Sequence, residues 1–302
     1  MRIIISGATG SLGSMLMERL SKKHEVLGLG RDIKKISKLS QIYEIRNCDL
    51  ASEEFGEIVK DAECFIHCAA YTAPRGSGKK FEENILITSS VLKFLKNHNI
   101  FSIFISSASV FDAMPRNKKM VEPTIIPKSH YSKSKFLSEK VIIDSLFENW
   151  TGLRPRAVIG KGDNTVIPRL NKLISKKSVF IPGSGEAKLD YTCMSNFLDA
   201  VECAIVAGPK QKFYNISNGD PKSFKELITT YAMKKYGKIK VRFLPIFPLR
   251  ILATLFPSER INHYSLDQIT QPMILDISNI KSDLNWQPKQ SLTECLEELF
   301  NE

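Results

Sequence analysis

Apolar and polar residues follow two different periods along the first half of the chain. Short β-branched or apolar runs predict buried strands at Arg2–Ser6, Val26–Leu29, Cys64–Cys68 and Ile103–Ser106. Between these runs, helical spacing of apolar residues predicts helices at residues 11–22, 32–39, 52–60 and 81–97. Strands that alternate with helices are joined by right-handed crossovers. We therefore predict an α/β fold, a doubly wound parallel sheet with helices on both faces.

The alternation loosens after about residue 155. Glycine and proline cluster at Gly160–Gly162, Pro182–Gly185 and Gly219–Pro221. Short strands are predicted at Val179–Ile181, Phe213–Ile216 and Val241–Leu244. We interpret residues 156–302 as a smaller α/β lobe that holds a substrate, with some of its segments returning to the sheet formed by residues 1–155.

Composition excludes several classes of protein. Apolar residues make up 43% of the 302 residues and charged residues 25%, so a core can form and global disorder is not expected. The net charge of +11 suits an anionic ligand, a nucleic acid or an acidic membrane surface. The lysines are dispersed, without a basic patch interleaved with aromatic residues. We therefore expect a small-molecule substrate and no nucleic-acid partner.

Cysteine usage bears on metal binding and on the cellular compartment. None of the six cysteines forms a CxxC pair, and with five histidines no second ligand pair for zinc is found, so we predict no metal site. The apolar setting of Cys64 and Cys68 suggests buried thiols. Because the first predicted strand begins at Arg2, we expect no targeting segment. Together these features indicate the reducing cytoplasm.

The longest apolar stretch, Phe243–Phe256, is interrupted by Pro245, Pro248 and Arg250. It is too short and too interrupted to span a bilayer, so no transmembrane segment is predicted. Three interpretations stay open for it: a wall or lid over an apolar substrate, a peripheral contact with anionic lipid, or ordinary core packing.

A glycine-rich loop joins the first strand to the first helix. Gly7 permits a tight turn, Gly10 lets the backbone approach a pyrophosphate, and Gly13 lets the helix pack closely on the strand. The free N–H groups at the helix N-terminus would face the phosphates. Residues 1–155 are therefore predicted to be a Rossmann-type dinucleotide-binding domain. The loop residues expected to touch the cofactor are Gly7, Thr9, Gly10, Ser11, Leu12 and Gly13.

The end of the second strand favours NADP over NAD. NAD-specific sites place an acidic residue there, whereas this chain has Gly30 and Arg31, and Arg31 could pair with a 2′-phosphate. Asp32 could instead turn inward and bond a ribose, so NAD stays possible. Asp49 and Leu50, which follow the third strand, could meet the adenine.

Three residues form a candidate catalytic set. Tyr131 and Lys135 are four residues apart in a helical pattern, and so share one helix face. A neighbouring ammonium lowers the pKa of a phenol and makes it a better acid or base. Ser107 lies just past a strand, at the edge where parallel sheets bind ligands, and could orient a substrate carbonyl.

These motifs closely resemble the extended short-chain dehydrogenase/reductase family, also called the NAD-dependent epimerase/dehydratase family. The matching segments are GATGSLG at 7–13, Ile66–Ala70, Ser106–Phe111 and Tyr131–Glu139. The resemblance implies that Tyr131 donates or accepts a proton and that Lys135 bonds the nicotinamide ribose. It also implies that Cys68, Ala69 and Ala70 lie against the cofactor. A homodimer formed by the helices at 81–97 and 131–147 is implied in the same way.

Two departures from the motifs of nucleotide-sugar enzymes suggest the branch of the family that this chain resembles. Ala157 replaces the asparagine of the nucleotide-sugar motif "LRxxN", and Leu189 replaces the arginine of "GxGxxxRD". The stretches Arg154–Asp163 and Asn196–Ala200 instead resemble the 3β-hydroxysteroid dehydrogenase-like branch.

Our hypothesis is an NADP-dependent oxidoreductase that interconverts a carbonyl and a secondary alcohol on an apolar substrate, such as a 3-oxo lipid or a steroid. The alternatives are a nucleotide-sugar epimerase, dehydratase or 4-ketoreductase, and a non-catalytic NADP-binding protein. Binding of nucleotide sugars would favour the first alternative. Absence of turnover despite cofactor binding would favour the second.

Overall fold

The computed structural model describes residues 1–72, 78–256 and 262–301. Its strands are β1 (Arg2–Ser6), β2 (Glu25–Gly30), β3 (Ile45–Asn47), β4 (Cys64–His67), β5 (Phe101–Ile105), β6 (Trp150–Pro155), β7 (Val158–Ile159), β8 (Ile174–Ser175), β9 (Ser178–Pro182), β10 (Lys188–Leu189), β11 (Thr192–Cys193), β12 (Phe213–Ile216), β13 (Lys222–Ser223) and β14 (Lys240–Leu244).

The helices alternate with these strands in the first half and are grouped more densely in the second. They are α1 (Ser11–Leu20), α2 (Ile33–Leu39), α3 (Glu53–Val59), α4 (Gly78–His98), α5 (His130–Asp144), α6 (Val166–Lys172), α7 (Met194–Ala207), α8 (Phe224–Tyr236), α9 (Ile246–Leu255), α10 (His263–Thr270), α11 (Ser278–Asp283) and α12 (Leu292–Glu298). A short 3₁₀ helix at Ala108–Phe111 follows β5.

Seven parallel strands form the central sheet, in the order β12-β6-β5-β4-β1-β2-β3. The predicted doubly wound, Rossmann-type α/β fold is therefore confirmed. The strand order reverses at β1, which pairs with β2 on one side and β4 on the other. In such sheets the ligand crevice opens at the carboxyl ends of the strands beside this reversal.

The first strand shows why the sheet is covered on both faces. Ile3, Ile4 and Ile5 are fully buried, and successive side chains in a strand point to opposite faces. Ile3 and Ile5 belong to one apolar cluster, whereas Ile4 belongs to a second cluster on the other side. A strand buried on both faces needs a continuous apolar run, which is what this segment has.

The second half of the chain contributes to the central sheet as well as to a separate layer. The predicted strand Phe213–Ile216 is β12, which pairs with β6 at the edge of the central sheet. The strands β14, β9 and β8 form a second, small sheet. No helix of the described ranges is long and apolar enough to cross a bilayer.

The apolar stretch at 243–256 forms the end of β14 and the helix α9. Ala253 is the buried residue of α9. Phe247 is 72% exposed and Leu255 is 63% exposed, so ordinary core packing does not describe this segment. On its other side, Leu244 and Leu249 line the large cavity described below.

Candidate active site

The glycine loop is closely packed in a way that only glycine permits. A Cβ on Gly13 would lie 2.2 Å from the Gly7 carbonyl oxygen, and one on Gly7 would lie 2.7 Å from the Ala69 amide nitrogen. Gly10 is the N-cap of α1 and has no side chain that could satisfy the free N–H groups of the first turn. The loop residues Gly7, Gly10, Ser11, Leu12 and Gly13 line the large cavity. The loop therefore fits a dinucleotide pyrophosphate.

The residues that follow β2 form the N-terminal cap of α2. Asp32 is the N-cap of α2 and accepts a hydrogen bond from the Lys35 amide at 3.2 Å. Its carboxylate therefore has a structural partner, which weakens the alternative in which it bonds a ribose. Arg31 is exposed, and Lys35 lines the cavity. Gly30 leaves room for Thr9, since a Cβ there would lie 2.9 Å from the Thr9 methyl carbon.

The remaining predicted cofactor residues divide into two groups. Cys68 and Ala70 line the cavity, whereas Ala69 lies beneath Gly7 and donates its amide to Ser6 Oγ at 3.4 Å. Asp49 accepts a hydrogen bond from the Ala51 amide at 3.0 Å, and Leu50 is packed into the apolar core. Neither of these last two lines the cavity.

The predicted serine and tyrosine meet at the cavity wall. Ser107 is the N-cap of the 3₁₀ helix after β5, and Tyr131 lies in the first turn of α5. Both side chains line the cavity. Burial raises the pKa of Tyr131, while the Ser107 side chain and the positive charge of Arg169 oppose that shift. The phenol is therefore protonated at neutral pH and can donate a proton.

Lys135 lies one turn further along α5 and points toward the sheet. Its ammonium donates to the Ile105 carbonyl oxygen at 2.9 Å. Burial lowers the pKa of Lys135 to about 8, and Cys68 and Glu139 partly oppose this. The charge of Arg169, which the sequence analysis did not single out, also lowers the pKa of the phenol.

A cavity of about 1010 Å³ connects the glycine loop with Ser107 and Tyr131 and extends into the second half of the chain. Beyond the tyrosine its wall is largely apolar. The apolar side chains there include Leu173, Phe180, Leu189, Phe224, Leu227, Leu244, Leu249 and Leu266. A pocket with such a wall and a few polar groups near the reacting atoms suits an apolar substrate.

Several polar residues of this cavity were not predicted as site residues. Arg156, Arg169, Tyr191 and Gln268 line its wall. In the sequence, Arg156 is only the second arginine of the segment Arg154–Arg156, and no motif assigned it to the site. Gln268 comes from α10 and carried no signal in the sequence, because its place in the cavity depends on how α10 folds back.

The two positions that depart from the nucleotide-sugar motifs both line the cavity. Ala157 follows β6, and the buried Leu189 is in β10. Within the described residues, no cluster of histidine, cysteine, aspartate or glutamate could hold a metal ion.

Comparison with known proteins gives the family. The profile of the NAD dependent epimerase/dehydratase family matches residues 3–217. The chain belongs to the NAD-dependent epimerase/dehydratase family. Members of this family and the relatives below are oxidoreductases and epimerases, so the chain is an enzyme of the extended short-chain dehydrogenase/reductase superfamily.

Two curated relatives of different activity are equally similar to this member of the family. The 2-alkyl-3-oxoalkanoate reductase of Stenotrophomonas maltophilia is 24% identical, with 99% of this chain and 98% of the relative covered. The UDP-glucose 4-epimerase of Vibrio cholerae is also 24% identical, with 97% and 92% covered. Sequence similarity therefore leaves the substrate to be argued from the site.

Solved structures show the same fold. The UDP-glucuronic acid 4-epimerase from Bacillus cereus, solved in complex with NAD, superposes with a TM-score of 0.78 at 21% identity. The alignment covers 99% of this chain and 97% of that one.

Proposed function

We propose that this family member is an NADP-dependent oxidoreductase that interconverts a carbonyl and a secondary alcohol on an apolar, 3-oxo lipid or steroid-like substrate. The observation that carries the proposal is that Ser107 and Tyr131 line one cavity, which runs from the glycine loop to an apolar wall. The leucine and alanine at positions 189 and 157 remove two contacts that the nucleotide-sugar motifs would supply.

The residues around the cavity divide the chemistry between them. A bound nicotinamide dinucleotide supplies or accepts the hydride. Ser107 donates a hydrogen bond to the substrate oxygen and orients it toward Tyr131. The phenol of Tyr131 passes its proton to that oxygen during reduction and takes it back during oxidation. Lys135, held by the Ile105 carbonyl, places a positive charge beside the position proposed for the nicotinamide ribose.

The test of this mechanism is Tyr131→Phe with 3-oxo lipids and steroids as substrates. We expect NADPH oxidation to be abolished while NADPH binding stays almost unchanged, because the phenol acts on the substrate oxygen. Turnover that survives the substitution would contradict the assignment. Absence of turnover in the unmodified protein, with every substrate of this class, would favour the non-catalytic alternative.

The cofactor preference is tested separately. The exposed Arg31 and the cavity-lining Lys35 support NADP, and the use of Asp32 as a helix cap removes an argument for NAD. We expect NADPH to bind about 10-fold more tightly than NADH, which corresponds to about 1.4 kcal/mol. Arg31→Ala should erase this difference. Equal or tighter binding of NADH would refute the NADP assignment.

A homodimer is part of the proposal. The helices α4 and α5 pack against each other, and their outer faces expose Leu86 and Ile143. Two copies could bury these side chains in a four-helix bundle. We expect Leu86→Glu to shift the protein from dimer to monomer in light scattering. A monomeric wild type would refute this arrangement.

A peripheral contact with anionic lipid is proposed for α9. Its exposed Phe247 and Leu255 and the net charge of +11 suit the surface of an acidic bilayer. The wild type should sediment with phosphatidylglycerol vesicles, whereas the Phe247→Asp variant should stay in the supernatant. Equal sedimentation of both proteins would contradict this lipid contact.

The free, mostly buried cysteines support a reducing compartment, and we propose that the protein acts in the cytoplasm.

A further inference from the structure

The helix α9 has three distinct sides. Phe247, Ile251 and Leu255 are spaced four residues apart and so share one side, the outer stripe, where they are 72%, 44% and 63% exposed. Leu249 and Ala253 share a second side, where Leu249 lines the large cavity and Ala253 is buried. The helix is therefore a wall with the cavity on one side and an exposed apolar surface on the other.

The third side of α9 is held against α10. Arg250 donates to Asp267 Oδ1 at 2.7 Å, and Thr254 Oγ1 lies 2.9 Å from His263 Nε2. Arg250 is the single charged residue of α9, and Asp267 neutralises it. The outer stripe therefore contains no charged or polar side chain. A helix that is apolar on two opposite sides is typical of one that is buried on both, so the outer stripe needs a cover.

Exposed cations adjoin the start of this helix. Lys240 and Arg242 of β14 lie four and two residues before Leu244, so all three side chains point to one face of the small sheet. Leu244 lines the cavity, and the chain continues from it through one residue into α9. The Lys240 amide donates to the carbonyl oxygen of Lys177 at 2.9 Å. Lys177, Lys240 and Arg242 are all exposed and form a basic edge beside the outer stripe.

The charge of the basic edge decides what covers the outer stripe. None of its three residues forms an ion pair within the described residues, whereas the cations Lys225 and Arg250 are paired with Glu186 and Asp267. A second copy of the chain on this surface would bring like charges together, which is unfavourable. An anionic bilayer supplies acyl chains for the stripe and negative headgroups for the cations at its border.

We infer that an anionic bilayer covers the outer stripe and that the substrate passes between this bilayer and the cavity alongside α9. This inference rests on the proposed function and narrows its substrate to a ketone or alcohol dissolved in the membrane. Leu244 and Leu249 line the cavity at this wall. A substrate that follows this route avoids transfer into water, which is unfavourable in proportion to its apolar area.

The test follows the transfer of tritiated 2-octadecanone from vesicles to the NADP⁺-loaded protein. The vesicles contain equal parts of phosphatidylglycerol and phosphatidylcholine. At successive times they are floated away in high salt, which weakens the attraction between protein and lipid, and the ketone that stays with the protein is counted. Transfer during contact gives a rate constant that rises with protein concentration. Transfer through water gives a constant value, because release of the ketone from the vesicle limits it.

We expect the rate constant of the wild type to rise with protein concentration. Phe247→Asp should lower the rate at least about 10-fold, because a carboxylate in the outer stripe opposes insertion into the bilayer. Lys240→Gln combined with Arg242→Gln should lower it by about 25-fold, since each cation near an anionic surface contributes about 5-fold to binding. With vesicles of phosphatidylcholine alone, the effect of this double substitution should disappear.

Leu146→Asp is the matched control for Phe247→Asp, because Leu146 is 85% exposed and lies between α5 and β6. Lys22→Gln combined with Lys118→Gln removes the same charge from two exposed lysines outside the basic edge. Both control proteins should take up the ketone as fast as the wild type does. Every variant should bind 2-octanone from buffer with unchanged affinity, which shows that its cavity is intact.

A rate constant that is independent of protein concentration, or that is unchanged in Phe247→Asp, overturns the inference. Binding of the wild type to the vesicles without any uptake of ketone also overturns it, since the surface would then not lead to the cavity. The measurement needs no turnover, because the bound cofactor is oxidised. Failure to oxidise NADPH with ketones would therefore refute the proposed function and leave the route from the bilayer standing.

Discussion

Loss of the buried carboxylate Glu139 should destabilise the protein far more than loss of an exposed carboxylate that binds the same arginine. Glu139 is 3% exposed and Arg154 is 1% exposed. Arg154 donates to the two oxygens of Glu139 at 3.0 and 2.8 Å. The guanidinium also lies against the rings of Phe111 and Phe213, at 5.6 and 5.1 Å from their centroids. Water therefore cannot replace the carboxylate.

The expected magnitude follows from that burial. Removing one partner of a buried ion pair leaves an uncompensated charge and costs about 3–5 kcal/mol. Domains of this kind have about 5–15 kcal/mol of total stability, so Glu139→Gln would remove a large part of it. The substitution keeps the size of the side chain and removes its charge. The cost therefore reports on the charge of Glu139.

Glu122→Gln is the matched control. Glu122 accepts from the same guanidinium at 3.1 Å, but its side chain is 52% exposed. Solvent screens such a pair, and we expect its loss to cost about 0–1 kcal/mol.

Urea unfolding measures both variants. A lower midpoint with an unchanged slope reports a change in stability. We expect a large decrease for Glu139→Gln and a small one for Glu122→Gln. Similar decreases for the two variants, or a loss below about 1 kcal/mol for Glu139→Gln, would refute the argument that burial decides the cost.

Three further predictions concern the cofactor loop and two buried titratable groups. Gly13→Ala should abolish NADPH binding in a titration, because its methyl group would lie 2.2 Å from the Gly7 carbonyl oxygen; unchanged binding would contradict the proposed cradle. Turnover should fall above about pH 8, because burial lowers the pKa of Lys135 to about 8 and the ammonium is lost above that value; a rate that is flat to pH 10 would argue against its role. Burial and the charge of Lys135 lower the pKa of His67 to about 3. As the pH falls below 6.5, the ordinary pKa of this side chain, the unfolded chain therefore binds a proton at His67 before the folded protein does. Urea midpoints should therefore show stability being lost between pH 6.5 and 3, by about 2 kcal/mol at pH 5, and His67→Gln should reduce this dependence; an identical profile in the variant would exclude His67 as its source.

The sequence by itself determined the features that depend on local pattern. The isoleucines of β1 predicted a strand buried on both faces, and the structure has that strand at the same residues. The loop at Gly7–Gly13 and the helical spacing of Tyr131 and Lys135 were also visible, because turns, caps and helix faces depend on residues close together in the chain. From these features the Rossmann-type sheet and the family could be predicted.

Only the tertiary structure decided which groups share the cavity and which of them have partners. Arg156 and Gln268 are 112 residues apart and become neighbours when α10 packs over the end of β6. Within the described residues, Arg156 Nε and the Tyr191 hydroxyl have no hydrogen-bond partner, and Lys135 of α5 donates to the Ile105 carbonyl oxygen of β5. The residue type alone determines whether a side chain can carry a charge. Whether that charge is satisfied depends on distant segments that bury it, and so only the folded chain shows which charged groups have partners.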